Sequence, residues 1–231
     1  MLKKTFLTAA GVLIICVGLW AGDTASFVDL GFSPNGGVYM FGQYGVRSGT
    51  LKPWADLFMV DVARNDFVSG GKVSYAHDSP ISPGQDGSGA LYRLIAENAG
   101  LASRYGVSFS GQGQPLYIAL DGEDSLFGET IEFRYFESGK FYRAKLVSST
   151  EGSGQYLRSS FYINLECSSD DGRRESYTIG DMSVKRQGVI SYHIKKVITD
   201  SGGDSIVFVI EMRRQAEGGP DIRYMVETLR L

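Results

Sequence analysis

The sequence predicts a mainly β protein, an antiparallel β-sandwich or open barrel with one covering α-helix, preceded by a cleaved signal segment. Three observations lead there. The chain carries 30 glycines, 13 tyrosines and 13 phenylalanines against 6 prolines, a balance that suits many short strands joined by tight turns. Tyr142, Ala144 and Leu146 alternate with Arg143, Lys145 and Val147, giving one dry face and one wetter one. Glycine-bearing turn signals recur between such stretches.

The first twenty-one residues stand apart. Lys3 and Lys4 open the chain, Phe6 to Trp20 is an uncharged apolar run, and Ala21-Gly22 supplies small residues before Asp23. This is a signal-peptide layout, and the run is short against the roughly 20 apolar residues that a membrane span needs. A cut after Ala21 puts Leu19 where a small residue is usual. The alternatives are an anchor retained through residues 5–20 or a lipid on Cys16. Leu13-Ile14-Ile15-Cys16 has the outline of a lipoprotein site, with bulky Ile15 where that signal prefers a small residue. Cleavage leaves Cys167 as the one cysteine, so no intramolecular disulfide forms, and a chain of 231 residues is stabilised by its core instead. Cys167 alternates with Phe161, Ile163 and Leu165, the pattern of a buried thiol. The formal net charge of −3 becomes −5 once Lys3 and Lys4 leave. That sign argues against nucleic acid and against anionic membrane surfaces.

Residues 22–75 read as a blade-like sheet. Phe27 to Val46 holds two strands around Ser33-Pro34-Asn35-Gly36, where Pro34 presets φ and Asn35 and Gly36 tolerate the reversal. A loop around Lys52, Pro53 and Trp54 leads to a strand over Asp56 to Ala63. Asp66 to Tyr75 adds a fourth strand, with a turn or bulge at Gly70-Gly71. Residues 76–113 form a connector and a helix. Pro80 and Pro83 keep Ala76 to Gly89 irregular. Leu91, Leu94, Ile95, Ala99, Ala102 and Tyr105 then make a helical stripe over Ala90 to Tyr105. Ser88 or Asp86 caps it, Gly106 closes it, and Gly100 costs it about 1 kcal/mol relative to alanine. The helix is expected to lie across a sheet. Gly111-Gln112-Gly113 reads as a hinge.

Residues 114–231 read as an antiparallel meander. The strands are Pro115 to Leu120, Thr130 to Glu137, Lys140 to Ser148, Tyr156 to Cys167, Arg173 to Ile179, Val189 to Ile198, Ser205 to Arg213 and Ile222 to Leu229. Ser138-Gly139, Asp171-Gly172, Gly202-Gly203 and Gly218-Gly219-Pro220 mark turns. Ile206 to Ile210 is apolar on both faces and so reads as central. The whole of 22–231 is expected to form one compact unit.

Two resemblances rest on these residues. FSPNG, an aromatic strand and LFMVDVA look like one blade of the propeller repeats in periplasmic TolB-like proteins. The pattern occurs once, so a lone blade-like sheet is implied rather than a propeller. More widely, FVDLGFSPNG-GVYMFGQYGV with LFMVDVARNDFV, together with IVFVIEMRR and DIRYMVETLRL, resemble a bacterial family of predicted secreted proteins of unknown function. That likeness implies an exported, strand-rich protein and carries no catalytic residues.

Chemistry-bearing constellations are sparse. His77 and His193 lack the HxxxH or HExxH spacing of a zinc site. Asp121-Gly122-Glu123-Asp124 and Asp170-Asp171-Gly172 resemble fragments of calcium loops without the closing glutamate, and they suit hairpin turns equally well. No GxSxG elbow or SxxK motif is present, and Gly111-Gln112-Gly113 opens no helix that would hold a phosphate. No cofactor, metal or catalytic set is therefore assigned. The binding candidates are Tyr44, Trp54 and Phe58, which border the loop Arg47 to Ala55. An exposed aromatic there would stack on a sugar or grip a peptide, whereas a Trp54 folded back on the core would only close it. The function expected is a non-enzymatic, secreted or periplasmic module that binds an envelope protein or a glycan. The alternative is a secreted hydrolase whose site assembles from strand-end loops.

Overall fold

The computed structural model describes residues 22–120 and 130–231. The expected signal segment, Cys16 and Asp121-Gly122-Glu123-Asp124 lie outside the described residues. A first sheet is an antiparallel meander of β1 (Ser26–Phe32), β2 (Val38–Val46), β3 (Pro53–Asp61) and β4 (Asp66–Ala76), adjacent in that order. The turn between β1 and β2 forms as its residues dictate. The Gly36 N–H donates to the Ser33 carbonyl at 2.9 Å. Asn35 Oδ1 accepts from Ser33 Oγ at 2.8 Å and from the Gly37 N–H at 3.0 Å, while Gly36 takes φ 67°.

Trp54 is not in a loop. β3 begins at Pro53, three residues earlier than expected, and Pro53 to Asp61 pairs residue for residue with β2. Proline is acceptable there because it occupies the first strand position. Its carbonyl accepts the N–H of His77 at 2.9 Å.

The expected single helix is two, α1 (Ser88–Glu97) and α2 (Ala99–Tyr105), broken at Asn98. Asn98 has φ −107° and ψ 14°, and its side-chain N–H donates to the Leu94 carbonyl at 2.8 Å. Asparagine competes for helix carbonyls in this way, and Gly100 just beyond gives little to hold the axis straight. Asp86 serves the start, accepting the Ser88 N–H from one residue ahead of the cap Gly87. Gly106 ends the helical segment at φ 68°.

A 3₁₀ turn at Phe109–Gly111 leads to β5 (Gln114–Ile118). The described strands that follow are β6 (Thr130–Tyr135), β7 (Lys140–Glu151), β8 (Arg158–Ser168), β9 (Arg174–Gly180), the two-residue β10 (Arg186–Gln187), β11 (Val189–Thr199), β12 (Ser205–Arg214) and β13 (Asp221–Arg230). A second sheet has the order β10-β8-β7-β6, with β9 beside β10 on the same edge of β8. A third has the order β13-β12-β11-β5.

The three sheets stack, and none closes on itself. Phe32, Tyr39, Phe41 and Phe58 of the first sheet pack on Ile198, Val207 and Val209 of the third. Phe161, Ile163 and Leu165 of the second sheet pack on Ile194, Phe208 and Ile210, on the opposite face of the third. Leu91 and Leu94 of α1 close the outer face of the first sheet against Leu30, Leu57 and Met59. The layers therefore run helix, first sheet, third sheet, second sheet: a sandwich with one sheet more than two. Ile206 to Ile210 of β12 is 0–1% exposed throughout, because both faces of its sheet are covered. This fulfils the two-faced apolar reading of that stretch.

Candidate functional site

Side chains alternate across β3, so Trp54, Asp56, Phe58 and Val60 point at the third sheet while Ala55, Leu57 and Met59 point at α1. On β2, Tyr44 shares the helix-facing side with Met40. The structure thus parts the three candidate residues. Tyr44 is half-buried on the helix side. Phe58 is 8% exposed and stacks between Phe41 at 4.8 Å and Phe67 at 5.7 Å, deep between two sheets. Trp54 is 6% exposed, lies opposite Gly45, and borders a cleft. Gly45 is required beside it, because a Cβ at that position would come within 2.9 Å of the indole.

The cleft holds about 600 Å³, between the ends of β3 and β4 and the start of β13. Its wall is charged. The Arg223 guanidinium stacks over the Trp54 ring, 4.1 Å from its centroid. Arg223 Nη1 donates to the carbonyls of Asp23 at 2.9 Å and Ile222 at 2.8 Å, and Nη2 lies 3.6 Å from the carboxylates of Asp23 and Asp221. Burial pulls the Arg223 proton affinity below its ordinary value, while Asp221 and Asp23 pull it back. Asp23 is itself fixed, accepting the Ser48 N–H and donating its own N–H to Asp221 Oδ1. Deeper in, Gln43 donates to Asp56 Oδ2 at 3.0 Å and accepts the Tyr224 N–H at 2.8 Å. One glutamine thereby ties the first sheet to the edge of the third. The Trp54 indole N–H has no hydrogen-bond partner among the described residues.

A second cleft, also of about 600 Å³, opens where the β3–β4 turn, the β9–β10 loop and β13 meet. Glu227, nearly buried, receives Arg186 Nη2 at 3.2 Å on one oxygen and the Asn65 side-chain N–H on the other. Burial is the main cause that raises the Glu227 carboxyl above its ordinary pKa, against the pull of Asn65 and Arg186. Arg186 also lies over the Phe161 ring, 5.0 Å from its centroid. Asn65 takes the left-handed φ of 51°, which asparagine tolerates in a tight turn. Asp181, on the same cleft, is held below the ordinary carboxylate range by hydrogen bonds from Ser183.

His77 bonds the backbone of Ser79, and His193 lies opposite Glu211 in the β11–β12 ladder with Ser191 Oγ at 3.2 Å. Asp171 spends its carboxylate on the Arg173 N–H within a hairpin turn. No group of three or more His, Cys, Asp or Glu among the described residues forms a metal-binding cluster. Sequence reasoning missed Asp23, Asp221, Arg223, Arg186 and Glu227, whose partners are remote along the chain. Asn65, in an Asn-Asp pair between two strands, carried a legible turn signal.

No helix of the described residues is long and apolar enough to cross a membrane. No curated protein and no solved structure matches the chain. A family model does match it, over residues 40–230, and the chain belongs to the family described as Predicted secreted protein (DUF2259).

Proposed function

We propose that this protein is a non-enzymatic, exported binding module, periplasmic or facing outward from the envelope, and that its ligand enters the Trp54–Arg223 cleft. The observation that carries the reading is the wall itself. A tryptophan, two arginines and three aspartates converge from β3, β13, the stretch before β1 and the β2–β3 loop. Clefts that combine an aromatic face with a few fixed polar groups are the usual form of a ligand site. The ligand class expected is an envelope polypeptide or a glycan. The second cleft favours the hydrolase reading through one observation, a carboxyl of raised proton affinity beside a second carboxylate. Both oxygens of Glu227 are already engaged by Asn65 and Arg186, however, and that supports a structural role for it.

Trp54 also supplies the test. Of the 2 tryptophans, Trp20 lies in the leader, so a chain beginning at Gly22 emits from Trp54 alone. Titration with soluble glycans and peptides is expected to shift or quench that emission for a true ligand. Asp56→Asn is expected to weaken the response with the thermal melt unchanged. A ligand that binds without disturbing Trp54 emission overturns the assignment, as does turnover of an ester, peptide or glycoside abolished by Glu227→Gln.

A further inference from the structure

We propose that the ligand of the Trp54 cleft is an extended peptide with a basic residue, which adds to the first sheet as a fifth strand along the free edge of β4. This rests on the cleft reading and names its ligand class. β4, of 11 residues, is the longest edge strand among the described residues. The other long edge, β13, is closed by its own molecule. There the Ile222 N–H donates to the Asp23 carbonyl, the Tyr224 N–H to Gln43 and the Thr228 N–H to Asn65. The β1 edge is likewise crossed by the 108–112 segment, with Gln112 donating to the Asp29 carbonyl at 3.3 Å.

The register shows which groups of β4 are free. The His77 N–H bonds Pro53, and pairing then runs Ala76 with Trp54, Tyr75 with Ala55, Ser74 with Asp56, Val73 with Leu57 and Lys72 with Phe58. Hydrogen-bonded pairs alternate in an antiparallel ladder, so Tyr75 and Val73 turn their N–H and C=O inward to β3. Lys72, Ser74 and Ala76 turn theirs away from the sheet, and all three are exposed. Five residues of such an edge span about 17 Å and accept a strand whose backbone supplies most of the affinity.

The flanking faces specify what that strand carries. Ser74 is the small residue between the edge and Asp56, whose carboxylate is held by Gln43. An added strand lies two strand spacings, about 10 Å, from β3, so a lysine or arginine on its cleft-side face reaches over Ser74 toward Asp56. On the helix side it meets Val73 and the Tyr75 ring, which Arg93 covers at 4.6 Å. Apolar residues suit that face. The peptide recognised is therefore extended, with basic and apolar positions alternating.

The test uses a randomised hexapeptide library selected on the immobilised chain from Gly22. Enriched peptides are expected to alternate basic and apolar residues. N-methylation of one alternating set of their backbone nitrogens should weaken binding at least about tenfold, and of the other set hardly at all. Ser74→Pro removes an edge N–H that β3 does not use. It should weaken binding similarly while far-UV circular dichroism and the melt stay unchanged, and Asp56→Asn should erase the basic preference. No enrichment, enriched peptides indifferent to N-methylation and to Ser74→Pro, or a β4-to-β4 dimer of this chain each overturns strand addition. Glycans that move Trp54 emission where peptides do not would retain the cleft and sink this proposal. Alternating peptides blocked by Ser74→Pro that leave Trp54 emission still would retain strand addition and sink the cleft.

Discussion

Glu227 shows how one buried side chain makes stability depend on pH. Burial raises its carboxyl above the ordinary 4.5, so the folded state holds the proton more tightly than the unfolded chain does. Its contribution is therefore fully present below the unfolded value and is lost as the pH rises through the folded one. Glu227→Gln, uncharged at every pH, is expected to gain stability relative to the parent chain as pH rises from about 4 to about 8, and the two to converge in acid. Thermal melts across that range check it, and a gap that widens on acidification contradicts it. Residues also mark the limit of what the sequence discloses. The turn at Ser33 to Gly36 is legible because its chemistry is local. The cleft is not, because Arg223 meets Asp23 from 200 positions away and no periodicity carries that information. Trp54 was legible as an aromatic of interest. Its place in a strand was hidden by Pro53, which reads as a loop residue until its position at the strand start is known.

At the scale of elements, α1 stays in place by packing. Its stripe was legible from spacing, and Ala90, Leu91 and Leu94 are the residues it buries. The break at Asn98 was not legible, because periodicity continues through it from Ile95 to Ala102. Leu91 sits over Gly42, where a Cβ would fall 2.5 Å from the leucine methyl, so the helix rests almost on the strand backbone. Leu91→Ala is expected to cost about 2–5 kcal/mol, measured by urea unfolding. A loss below about 0.5 kcal/mol would mean that the helix contributes little to the first sheet. β12 was legible for the opposite reason, since five consecutive apolar, mostly β-branched residues after a Gly-Gly turn suit a strand covered on both faces. The third sheet layer was not, because alternation reports that a face is buried without saying against what.

For the whole molecule, the third sheet belongs to two cores at once, one facing each of its neighbours. Residues 22–231 are accordingly expected to melt in one cooperative transition, with Trp54 emission and far-UV circular dichroism changing together. Two separated transitions, the first confined to Trp54, would show that the first sheet folds alone. The pairing of Thr24 with Ile222 and of Asp23 with Arg223 has a further consequence. A polypeptide delivered amino end first, from a ribosome or through a pore, cannot lock residues 23 and 24 in place until residues 222 and 223 have arrived. Completion of that contact is thus timed by the arrival of β13.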